Sequence, residues 1–169
     1  SDLFSEFSKI AADNPLSWFP TYRSSEEISE VTPENRMIGF PYTKYLNSII
    51  RVNMSSAFIL VSQKKADELN IPNSKRIYVH GCSILNDIWN VTERPNFHSS
   101  PAIKKCVTQT LDEAEISLSD IKYFDLYSCF PSAVQIAKKE LGIPREKKDL
   151  TVTGGLPYFG GPGNSYTMF

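Results

Sequence analysis

Leu150-Thr151-Val152-Thr153-Gly154-Gly155-Leu156-Pro157-Tyr158-Phe159-Gly160-Gly161-Pro162-Gly163 is the stretch on which the reading of the fold turns. Four residues of strand character run directly into a loop that holds five of the chain's eight glycines. Glycine reaches positive φ without a Cβ penalty and lets backbone N–H groups come close to a ligand, which suits an oxyanion or a thin, chain-like molecule. A tight buried turn that packs strand against helix also calls for glycine. The stretch alone leaves both readings open. Two phosphate-binding designs are excluded, because no Gly-Lys-Ser/Thr follows and the G-x-G-x-x-G spacing is absent.

Working upstream, strands and helices alternate. Val52 to Val61 reads as a buried strand, Ser62 as an N-cap, and Gln63 to Leu69 as a short helix ending near Asn70 and Pro72. Arg76 to Cys82 is a second predicted strand. A helix follows from Pro101 to Ile116, with Ile103, Val107, Leu111 and Ala114 as its core-facing stripe. Ile121 to Leu126 is the third strand; it passes sharply through Tyr127-Ser128-Cys129-Phe130 into a helix opened by Pro131 and closed by Gly142 before Pro144. Leu150 to Thr153 is the fourth strand. This alternation predicts a layered α/β fold with a mixed sheet and helical crossovers. In such sheets the chemistry sits beyond the carboxyl ends of the strands, which singles out residues 127–130 and 154–163.

Residues 1–50 differ in character. After a short amphipathic stretch (Leu3, Phe4, Phe7, Ile10), Pro15, Pro20, Pro33 and Pro41 interrupt any long element. We read 1–50 as an irregular, proline- and aromatic-rich arm and 51–169 as the α/β domain.

Composition narrows the function classes. With 41% hydrophobic and 22% charged residues the balance is that of an ordinary globular domain, and a net charge of −1 with scattered cations gives no footprint for nucleic acid. The longest apolar run, Ala57 to Val61, is far short of the ~20 residues of a membrane helix. With no leader pattern visible, the expected location is the cytoplasm. Cys82, Cys106 and Cys129 lack C-x-x-C spacing and fit a reducing compartment rather than disulfides or zinc.

Single residues add little chemistry by themselves. Cys129, where a strand turns into a helix, is either a thiol activated by the helix dipole or a small buried apolar residue. The glycines of a nucleophile elbow do not flank it, and His80 and His98 both precede it. Ser62-Gln63-Lys64-Lys65 matches S-x-x-K, but Ser62 reads as a helix cap. No His pair has metal-ligand spacing, so no metal is expected.

Taken together, Asp125-Leu126-Tyr127-Ser128-Cys129-Phe130, the helix and strand that follow, and Gly154-Gly155 with Gly160-Gly161-Pro162-Gly163 resemble the C-terminal half of the thiolase superfamily. The look is closest to the sterol-carrier-type thiolases and the acetyl-CoA-acetyltransferase-like proteins. Val52 to Ser62 with Ala66 is similar to the strand and helix that close the N-terminal half, so the resemblance covers about residues 50–169 and the arm less specifically.

The resemblance implies a thiolase-like layered α/β/α fold in which 1–50 is the end of a loop domain and 51–169 a truncated C-terminal domain. It implies a coenzyme A thioester as substrate, no permanently bound cofactor, acyl transfer or Claisen-type chemistry in lipid metabolism, and a homo-oligomer, a dimer. Family chemistry uses a nucleophilic cysteine from the N-terminal half, an oxyanion site made by a Gly-His-Pro histidine and a water held by the tetrapeptide, and a Cys-x-Gly cysteine. Here the tetrapeptide opens with Tyr127, the histidine position is Gly161, and neither the nucleophile nor Cys-x-Gly lies within the 169 residues. Carried over by position, the candidate catalytic residues are Tyr127, Ser128, Cys129 and Gly161. The candidate substrate-binding residues are Phe130, Gly154, Gly155, Gly160, Pro162, Gly163 and Asn164. Two functions are implied: part of a thiolase-like acyltransferase, paired with the missing N-terminal half and inactive alone, or a non-catalytic acyl-CoA-binding or assembly subunit.

Overall fold

The computed structural model describes residues 1–169. Its helices are α1 (Asp2–Asp13), α2 (Ser25–Ser29), α3 (Gln63–Glu68), α4 (Pro101–Ala114) and α5 (Pro131–Glu140), and short 3₁₀ turns join them. The three helices expected between 51 and 144 are all present. α3 starts where the Ser62 hydroxyl accepts the Lys65 N–H at 3.2 Å, and α4 stops at Glu115, which takes a left-handed conformation with φ 56°. Pro131 opens α5, and Gly142 at φ +64° follows its end.

The arm has more order than its prolines suggest. α1 places Phe4, Phe7 and Ala11 on one face, and all three are fully buried. Phe4 and Phe7 stack at 5.3 Å between centroids, and Tyr158 meets Phe4 edge-on at 6.2 Å. Ile28 of α2 and Leu46 join the same core as Val134, Ile143 and Leu150. One core therefore spans residues on both sides of position 50. Each fully buried side chain of this kind contributes about 1.5–3 kcal/mol.

The predicted strands come out differently. The only ladder is an antiparallel pair inside the arm, β1 (Met37–Gly39) with β2 (Tyr42–Thr43). Residues 52–61, 76–82, 121–126 and 150–153 are not laddered, and a single backbone-to-backbone bond, from Leu126 N–H to Leu150 O (3.0 Å), links the last two. At three positions a side chain takes a backbone donor that a neighbouring strand could use. Glu113 Oε2 accepts from the Cys82 N–H at 2.9 Å, and the Asp125 carboxylate accepts from the Val152 and Thr153 N–H groups at 2.9 and 3.3 Å. The apolar residues Phe58, Ile59, Leu60 and Ile77 are correspondingly exposed. No ladder joins these four segments to one another, and the regular structure is a mixture of five helices and one small sheet.

Candidate functional site

The tetrapeptide and the glycine-rich loop lie against each other. Ser128 is fully buried, and its Oγ accepts the Leu156 N–H at 3.0 Å. The arm clasps both: Ser48 N–H donates to Cys129 O (3.0 Å), Ile49 N–H to Leu156 O (3.2 Å), and Gly161 N–H to Ile49 O (2.8 Å). A second arm segment crosses the loop, where the Trp18 and Phe19 N–H groups each donate at 3.0 Å to Phe159 and Tyr158 carbonyls.

Several glycines of the loop are needed for close approach. Gly154 sits at φ +113°, and a Cβ there would fall 2.4 Å from the Ala11 Cβ on α1. Its N–H donates to Thr151 Oγ1 at 3.1 Å, and the Gly155 N–H to Thr153 Oγ1 at 3.2 Å. Gly160 faces Met54 and Val52. At Gly161 a Cβ would meet the Ile49 carbonyl oxygen at 2.9 Å, so the obstacle is the backbone itself.

Asp125 fixes the end of the third predicted strand. Besides the two backbone donors, its carboxylate accepts from Thr151 Oγ1 (3.0 Å) and from the Tyr166 hydroxyl (2.9 Å). Burial, then the adjacent Asp125 charge, raises the Tyr166 hydroxyl well above its ordinary value, which keeps it protonated and donating. Asp125 thus joins residues 151–153 to the turn carrying Tyr166.

A cavity of about 560 Å³ opens beside this arrangement. Of the residues singled out from the sequence, Tyr127, Gly161, Gly163 and Asn164 line it. Ser128, Gly154, Gly155 and Gly160 are buried and do not line it, Phe130 stacks on Tyr42 at 5.8 Å, and Pro162 precedes the closing 3₁₀ turn. Cys129 is half-buried and packs against the Leu156, Phe159 and Tyr166 cluster. Tyr127 is 67% exposed; partial burial, and then the neighbouring Cys129 thiol, push its hydroxyl above the ordinary value. His80 and His98 are both exposed away from the cavity, with Lys139 3.2 Å from His98 Nδ1. No group of His, Cys, Asp and Glu side chains is gathered as for a metal ion.

The cavity also recruits Ser48, Ile50 and Tyr166, none of which the sequence reading singled out. For Ser48 and Ile50 no local signal existed, because their placement depends on bonds to residues distant in the chain. Asp125 did carry a weak signal, as a carboxylate two residues before the turn at a strand end.

No family model matches the chain, and no curated protein does. Among solved structures, a monomeric SCP2-thiolase like protein type 1 from Mycobacterium smegmatis matches with a TM-score of 0.85 and 39% sequence identity over 99% of this chain. The chain is related to the SCP2-thiolase-like proteins. The thiolase-like match extends through residues 1–50 as well, although the sequence resemblance there was less specific. The chain spans 37% of that protein's length. That relative is described as monomeric, so the likeness lends no support to a thiolase-like dimer. No helix is long and apolar enough to cross a membrane.

Proposed function

We propose that the chain is the C-terminal part of a thiolase-like acyl-CoA acyltransferase of cytoplasmic lipid metabolism, and that the cavity beside Tyr127 and Gly161 receives the thioester end of its substrate. The observation that carries this reading is the shared cavity: the tetrapeptide turn and the glycine-rich loop, both beyond predicted strand ends, open onto one space in a thiolase-like fold. The chain's own part in the reaction is to hold the carbonyl, with the Tyr127 hydroxyl as donor. The nucleophilic cysteine and the Cys-x-Gly cysteine come from segments outside these 169 residues. The exposed Phe58, Ile59, Leu60 and Ile77 form apolar surface on which the N-terminal half of the fold packs. The isolated chain is accordingly inactive.

A second reading, a non-catalytic acyl-CoA-binding or assembly subunit, is favoured by the Gly161 N–H. It is spent on Ile49 O, so the family's histidine position supplies no oxyanion donor. Calorimetric titration of the full-length protein with acetyl-CoA, paired with a thiolysis and condensation assay, separates the two. Binding with turnover that falls by roughly 10²-fold in Tyr127→Phe supports the acyltransferase. Binding without turnover supports a non-catalytic acyl-CoA-binding subunit, and no binding removes both acyl-CoA readings and leaves only the assembly role.

A further inference from the structure

The cavity's donors can be sorted by what they already serve. Gly161 N–H is bonded to Ile49 O, Tyr166 OH to Asp125 and Thr153, and Thr167 Oγ1 to Asn164 O. Among side chains, the donors on the lining with no hydrogen bond to the rest of the chain are the hydroxyls of Ser48 and Tyr127 and the Asn164 amide. No charged residue lines the cavity, and Ile50, Leu156 and Met168 supply apolar wall. Such a lining disfavours a phosphate or carboxylate and suits an uncharged acceptor on an apolar chain.

Ser48 differs from Asn164 in how firmly it is held. Its backbone N–H donates to Cys129 O inside the tetrapeptide, and the next residue, Ile49, is bonded at both its N–H and its carbonyl to the glycine-rich loop. Ser48 is half-buried, whereas Asn164 is exposed in the closing 3₁₀ turn. A short side chain on a main chain held by these bonds is carried at a fixed place on the wall and has little freedom to lose on binding.

We infer that Ser48 is a ligand-contacting residue: its hydroxyl, with that of Tyr127, donates to the uncharged carbonyl of a ligand in this cavity. The assignment rests on the acyl-CoA reading above. It makes the arm part of the binding site and places the recognised carbonyl between arm and tetrapeptide, where no histidine is required.

The test compares acetyl-CoA with ethyl-CoA, a thioether lacking the carbonyl oxygen, by titration of the full-length protein and its Ser48→Ala and Ser48→Thr variants. Wild type is expected to prefer acetyl-CoA. Ser48→Ala should weaken acetyl-CoA about three- to tenfold, as for one neutral hydrogen bond, and leave ethyl-CoA unchanged. Ser48→Thr, which keeps the hydroxyl, should restore the preference. If wild type prefers acetyl-CoA and Ser48→Ala keeps that preference, or loses affinity for both ligands equally, the role of Ser48 is overturned while the acyl-CoA reading stands. If wild type binds neither, the acyl-CoA reading falls, and this role with it.

Discussion

The Gly161 N–H donates to the Ile49 carbonyl oxygen at 2.8 Å, and a Cβ built on Gly161 would lie 2.9 Å from that same oxygen. At Gly161 the obstacle to any side chain is therefore the backbone itself. This residue is a point where the arm and the glycine-rich loop meet backbone to backbone. Placing histidine at this position is expected to destabilise the fold by about 1–3 kcal/mol, the usual cost of overpacking, and to give no gain in activity. Thermal unfolding of Gly161→His and Gly161→Ala checks this; a melting temperature equal to wild type in both would contradict it.

Asp125 is the second point of convergence. Asp125→Ala removes a charged acceptor from Val152 N–H, Thr153 N–H, Thr151 and Tyr166 at once. Hydrogen bonds to a charged group are worth about 1.5–3 kcal/mol each, so a loss of at least that size is expected in urea unfolding. Tyr166→Phe removes only one of these bonds and should cost less. Equal losses in the two variants would show that the carboxylate's backbone contacts carry no weight.

Two buried tyrosines set the alkaline limit. Burial raises the hydroxyls of both Tyr158 and Tyr166 far above the ordinary value of 10.0. A folded value above the unfolded one means that the native state holds protons the unfolded state has released, so stability is intact below pH 10 and falls as pH rises beyond it. The double variant Tyr158→Phe/Tyr166→Phe should flatten that fall. A fall just as steep in the double variant, measured by denaturant titration across the alkaline range, would assign it to other groups.

The three thiols should label in order of access. Cys82 is exposed, Cys106 Sγ contacts Ser83 O at 3.0 Å, and Cys129 packs against Leu156, Phe159 and Tyr166. A time course on the folded chain, read by mass spectrometry, should modify Cys82 first. Rapid labelling of Cys129 ahead of Cys82 would reinstate an activated thiol at the head of α5.

The sequence was most legible where one residue type does a local job. Ser62 as a cap, Pro131 opening α5 and Gly142 following its end all act through neighbours a few residues away, and each is found in that role. α1 was visible only as an amphipathic stretch, because its burial depends on Tyr158 and Gly154, far along the chain. The extended segments were legible only as apolar runs such as Ile59 to Val61: these report a need for apolar cover, whereas a ladder also requires free backbone donors on a neighbouring segment. Three such donors, on Cys82, Val152 and Thr153, go to Glu113 and Asp125 instead. At the site, Tyr127, Gly161 and Asn164 could be named from their loops, whereas Ser48 enters the cavity through a hydrogen bond to Cys129 that no sequence pattern encodes.

The most direct measurement is a crystal structure of the full-length protein with acetyl-CoA bound. The account predicts the thioester carbonyl oxygen at about 2.7 Å from the Tyr127 hydroxyl oxygen, inside the cavity that Gly161 and Ser48 line, with the phosphates outside it. A thioester bound elsewhere, with Tyr127 and Ser48 facing only solvent, would contradict it.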